Sequence, residues 1–124
     1  MESENKYIQQ LRTNLSKLDP YLLLLFGSYA YGAPDQDSDL DVFVVLNDHS
    51  LPVTFKEKQD LYLKVSPLTR PIAKQIPIDL MVFTIPMFEQ FKNAHTGFSE
   101  EVLTKGIVIY ENKHNAMAFM NANC

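Results

Sequence analysis

The stretch Gly27-Ser28-Tyr29-Ala30-Tyr31-Gly32-Ala33-Pro34-Asp35-Gln36-Asp37-Ser38-Asp39-Leu40-Asp41-Val42-Phe43-Val44-Val45 joins a small-residue turn to two carboxylates one residue apart. A Gly-Ser turn exposes backbone N–H groups that can cradle phosphate oxygens, as anion-binding nests and helix N-termini do. Side chains alternate along a strand, so Asp39 and Asp41 point to one face, about 7 Å apart at Cα. That spacing suits Mg²⁺, a hard cation bound by one or two carboxylates together with substrate phosphates. Taken singly, Gly-Ser is an ordinary turn and Asp-x-Asp an ordinary solvated strand end. Together, beside two successive apolar runs, they read as a nucleoside triphosphate site.

The flanking pattern alternates helices with short strands. Ile8, Leu11, Leu15 and Leu18 recur at helical spacing within Glu2 to Leu18, and Asp19-Pro20 ends that segment. Tyr21 to Phe26 is a compact apolar run closed by glycine, which predicts a buried strand. A helical turn is expected from Tyr29 to Gly32, then a polar approach through Asp35, Gln36, Asp37 and Ser38 to a second strand, Asp39 to Leu46. A loop at Asn47 to Pro52 leads to a helix from Phe55 to Leu68, with Arg70 to Pro77 as a connection. Ile78 to Ile85 predicts a third strand, and Pro86 suits the start of a helix through Asn93. His95-Thr96-Gly97 breaks it, and Ser99, Glu100 and Glu101 open another helix. Gly106 ends that helix before a last strand, Ile107 to Tyr110. The expected architecture is α+β, or α/β-like: a small mixed sheet with helices against it.

A chain of 124 residues is expected to form one domain, with a core from about 5 to 111 and a loose Asn-rich tail from 112 to 124. Its 46% hydrophobic and 21% charged content is ordinary for a soluble globular protein. The net charge of −4 argues against direct nucleic-acid binding. No apolar stretch follows the acidic start Met1-Glu2-Ser3-Glu4, and Leu22 to Phe26 is too short to cross a bilayer. No membrane association and a cytoplasmic location are therefore expected. The one cysteine, Cys124, forms neither an internal disulfide nor a metal-ligand pattern.

Asp79 stands second in an otherwise apolar strand, where a lone buried carboxylate is expensive. Three readings are open: exposure at a strand end, a hydrogen-bonded buried Asp, or a third member of the Asp39/Asp41 site. His49, His95 and His114 share no metal-like spacing and read as surface residues. Lys56, Lys58 and Lys64 lie on an amphipathic helix, where a solvated face is the default.

The pattern of Gly27-Ser28, ten residues, then Asp39-x-Asp41 resembles the minimal nucleotidyltransferase (MNT) branch of the polymerase-β-like superfamily. The N-terminal helix, the apolar strand, Asp79 and the closing segment Lys105 to Glu111 extend the likeness over about residues 5 to 111. The resemblance implies a polymerase-β-like fold and nucleotidyl transfer. Gly27 and Ser28 would hold the β/γ phosphates, with Asp39, Asp41 and Asp79 as catalytic, metal-binding residues for two Mg²⁺ ions. ATP is the implied substrate, and Asp79 would also orient or deprotonate the attacking hydroxyl. Many members carry Arg directly after Gly-Ser and again two residues on; this chain has Tyr29 and Tyr31, so its phosphate loop lacks two cations.

The size leaves little room for an acceptor domain. The chain is therefore most similar to minimal proteins that act beside a HEPN-domain partner, as antitoxins that adenylylate a tyrosine of an RNase toxin. Two rivals are an MNT-fold binding module that neutralises its partner by contact, and a small-molecule nucleotidyltransferase of the aminoglycoside type.

Overall fold

The computed structural model describes residues 5–27, Ala30 and residues 39–112. Ser28, Tyr29, the expected turn beyond Ala30, the approach through Asp35 and Ser38, His114 and the tail from 113 onward lie outside the described residues.

Helix α1 (Lys6–Leu15) starts at Asn5, whose side-chain oxygen accepts the Tyr7 N–H at 2.7 Å. Ile8, Leu11 and Leu15 form its buried stripe. The expected helical segment changes character at Ser16, where the chain tightens into a 3₁₀ turn over Ser16–Leu18. Asp19 then adopts a left-handed φ of 47°, and Pro20, which has no N–H, cannot continue a helix.

Four strands form one mixed sheet: β1 (Leu22–Phe26), β2 (Leu40–Val45), β3 (Ile78–Phe83) and β4 (Ile107–Glu111), in the order β3-β2-β1-β4. β1 runs antiparallel to both neighbours, and β2 pairs with β3 in parallel. A parallel pair needs a long crossover, here supplied by helix α2 (Phe55–Ala73). The sequence predicts that this helix ends at Leu68, yet it continues through Pro67 and Pro71 to Ala73. Each proline removes a bond to the carbonyl four residues back. Pro67, Pro71 and Leu63 all face solvent, while Val65, Thr69 and Ile72 are buried on the inner face. Packing along that inner face holds the last turns together, so Arg70 to Ala73 is helix rather than connection.

Thr84 shifts the next boundary. Its backbone is extended and its hydroxyl accepts the Met87 N–H at 3.3 Å, so β3 ends at Phe83 and helix α3 (Ile85–Asn93) begins one residue before Pro86. Helix α4 (Gly97–Lys105) likewise starts earlier than Ser99, because Thr96 caps the Ser99 N–H at 3.0 Å.

Alternation divides the core between two faces. Leu23, Leu25, Leu40, Val42, Val44 and Leu80 pack with α1 and α2 residues such as Leu11 and Val65. Leu22, Leu24, Phe43, Val45 and Phe83 pack with Phe88 of α3 and Val102 of α4. β1 and most of β2 are therefore sealed on both sides, which explains their unbroken apolar runs.

One polar clamp ties the start of β1 to the end of its neighbour β4. The carboxylate of Asp19, before β1, accepts from the Tyr110 hydroxyl and the Asn112 side-chain amide, both at 2.7 Å. Asp19→Ala should lower stability by about 2 kcal/mol, since two hydrogen bonds to a charged acceptor are lost at a left-handed position. Asp19→Asn should cost less, because it tolerates the same backbone and keeps an acceptor. Urea titration of both variants checks the order.

Candidate functional site

The site is built where β1 ends and β2 begins. In the β1–β2 register Phe26 lies opposite Asp41, and in the β2–β3 register Asp41 lies beside Asp79. One row across three strands thus reads Phe26, Asp41, Asp79. Asp39 precedes β2 by one residue and shares the face of Asp41 by alternation. Asp39 and Asp79 are exposed and Asp41 is half-buried. Of the three readings open for Asp79, the hydrogen-bonded buried Asp is therefore removed.

The electrostatics follow from this placement. Burial, then the Asp79 charge, then the Asp39 charge push the Asp41 carboxyl above its ordinary value. These are the two effects that oppose ionisation: loss of water and proximity of like charge.

Gly27 is placed for two reasons. Its φ is +83°, a conformation that side chains rarely adopt. A Cβ there would also overlap Oδ2 of Asp41. The carboxylate of Asp41 therefore rests directly against the glycine turn, whose carbonyl accepts the Ala30 N–H at 2.9 Å. The glycine turn and the carboxylate of Asp41 are one structure. Ser28, Tyr29 and Tyr31 fall outside the described residues, so their side chains add nothing here.

The donor set is all oxygen, as a hard cation requires. Among the described residues, however, no three Asp, Glu, His or Cys side chains are drawn into a group that could hold a metal by itself.

The other candidates lie elsewhere. Lys56 pairs with Asp60 at 3.2 Å. Lys64 acts on Asp48, which lies past the far end of β2, beyond about 13 Å of strand from Asp41. His95 is exposed in the α3–α4 turn and meets Glu100 at 3.1 Å. His49 is exposed in the loop after β2. Sequence reasoning overlooked the aromatic neighbours of the site. Phe98 of α4 packs on Phe26, the register partner of Asp41, with ring centroids 5.4 Å apart. No spacing rule signals a contact made across the fold.

Residues 6–115 match the family model described as "Polymerase beta, Nucleotidyltransferase". The chain belongs to the polymerase β nucleotidyltransferase family. Protein adenylyltransferase MntA of Shewanella oneidensis (strain MR-1) is 46% identical over 46 residues, which are 37% of this chain and 32% of that protein. The match thus spans about a third of the curated relative. A candidate nucleotidyltransferase of Sulfolobus solfataricus superposes with a TM-score of 0.53 at 13% identity, covering 91% of this chain and 95% of the other. A chain of a toxin–antitoxin crystallised with AMP-PNP gives 0.51 at 20% identity, covering 94% and 86%. At these identities the superpositions establish the fold, a polymerase-β-like mixed sheet. Among the described residues no helix is long and apolar enough to cross a membrane.

Two substitutions probe the carboxylate row. The raised Asp41 pKa means that the folded chain holds this proton more tightly than the unfolded chain does. Ionisation of Asp41 then lowers stability, starting as pH rises past the ordinary carboxylate range and complete above the raised value. Asp41→Asn should accordingly be more stable than the wild type near neutrality, with the gain vanishing in acid. Thermal melts across the acidic range test the sign. Gly27→Ala should lose about 1–3 kcal/mol from backbone strain and overlap with Asp41. A melt of that variant indistinguishable from wild type would remove the tight glycine–carboxylate contact.

Proposed function

We propose that this chain is a Mg²⁺-dependent adenylyltransferase that moves AMP from ATP to a hydroxyl of a protein partner. The observation that carries the reading is the Asp41–Asp79 register pair at the mouth of the Gly27 turn, with Asp39 on the same face. Asp39, Asp41 and Asp79 would hold two metal ions, which when bound stabilise charge on the attacking and leaving oxygens. Gly27 and Ser28 would receive the β and γ phosphates through backbone N–H groups and a hydroxyl. Asp79, exposed on the edge strand, would accept the proton of the incoming hydroxyl as it attacks the α-phosphorus and pyrophosphate leaves. Positioning and electrostatics supply most of the rate in such transfers.

Similarity to MntA supports a protein acceptor, and we take that acceptor to be a tyrosine of a HEPN-domain toxin, with this chain as its cytoplasmic antitoxin. A second reading, neutralisation by contact alone, draws on Tyr29 and Tyr31 standing where many relatives have Arg.

Incubation with labelled ATP, Mg²⁺ and the partner separates the two. Asp39→Asn and Asp79→Asn should each abolish labelling of the partner while the variants remain folded, whereas full labelling would remove these residues from the machinery. Mg²⁺-ATP at a hundred times its Kd should stabilise the wild type by roughly 2.7 kcal/mol, reversed by EDTA. A melting point indifferent to Mg²⁺ and ATP together would favour contact alone.

A further inference from the structure

Six phenylalanines gather on the sheet face that carries the carboxylates. Phe43 stacks on Phe83 at 5.5 Å and 15°, and Phe83 meets Phe88 and Phe91 at 5.9 and 5.5 Å. Phe43 and Phe88 are sealed from solvent, at 2% and 1% exposure, while Phe98 retains 44%. That ring is nevertheless held. It meets Phe26 edge-on at 5.4 Å, Phe91 edge-on at 5.8 Å and Phe43 tilted at 6.1 Å.

Its supports fix where it stands. Phe26 lies opposite Asp41 and directly before Gly27, and Phe43 follows Asp41 by two residues on the same face. The backbones of Phe26 and Phe43 thus lie one strand spacing and one two-residue step from that of Asp41, about 5 and 7 Å. The partly open ring of Phe98 therefore rests on the two immediate neighbours of Asp41 in the sheet.

We propose that Phe98, seated on Phe26 and Phe43 beside the carboxylate row, is a stacking platform for the purine base of the nucleoside triphosphate. This rests on the nucleotidyl-transfer reading above. A ribose and an α-phosphate would link a base on Phe98 to the carboxylate row. Three aromatic contacts hold the ring in advance, so stacking costs little ordering. A flat π-face accepts any base, and a purine covers more of it than a pyrimidine does. The subsite thus favours ATP and GTP over CTP and UTP by surface rather than by hydrogen bonding.

The test compares Mg²⁺-ATP with Mg²⁺-tripolyphosphate, which carries the phosphates without a base, by calorimetry on the full chain. Phe98→Ala should weaken Mg²⁺-ATP about tenfold and leave tripolyphosphate unchanged. Phe98→Leu, which keeps apolar packing without the π-face, should lose a similar factor, and Phe98→Tyr should restore it. The purine preference of the wild type should shrink in both weakened variants. Equal Mg²⁺-ATP affinity in wild type, Phe98→Ala and Phe98→Leu overturns the platform, as does equal weakening of tripolyphosphate. Loss of partner binding with nucleotide affinity intact also overturns it and makes the ring a protein contact. Wild-type protein that binds neither ligand fails the nucleotidyl-transfer reading itself, an outcome distinct from failure of stacking alone.

Discussion

Asp41 and Asp79 stand side by side on parallel strands, and the sheet has to hold them there against their mutual repulsion. At one strand spacing two such charges repel by about 3 kcal/mol with a protein-like dielectric, and by less where Asp79 faces water. The remainder of β2 opposes this. Leu40, Val42, Phe43, Val44 and Val45 are each at most 2% exposed, and burial of a side chain of that size contributes about 1.5–3 kcal/mol. The apolar strand outweighs the charge at its head by a wide margin, so packing holds the carboxylate row in place.

The same strand explains how rigidity and access coexist. Beyond Asp41 both faces are covered, by α1 and α2 on one side and by α3 and α4 on the other. At Asp39 and Asp41 the cover stops, and Gly27 removes the one Cβ that would fill the gap. Asp41 is thus fixed by a packed strand on one side and open to ligand on the other. Preorganisation of this kind suits a reaction in which the protein chiefly places charges and phosphates.

Much of this was legible in the chain. The strands expected over Tyr21 to Phe26 and Asp39 to Leu46 and the turn at Gly27 lie within a residue of where they were expected, because unbroken apolar runs bounded by glycine or carboxylates leave few alternatives. The length of α2 was not legible: Pro67 and Pro71 argue locally against helix, and only the buried contacts of Thr69 and Ile72 carry it on. The starts of α3 and α4 moved by one and two residues because Thr84 and Thr96 cap them, a choice that short threonine-containing breaks leave open.

The sequence by itself determined the composition of the candidate site, since a glycine turn and carboxylates at strand period are local properties of spacing and side-chain chemistry. Only the tertiary structure decided that Asp79 comes beside Asp41, that Asp41 leans on Gly27, and that Phe98 closes over Phe26 and Phe43. Those neighbours are set by strand order, register and helix packing. Such contacts join residues far apart in the chain, and no local preference records which of them will meet.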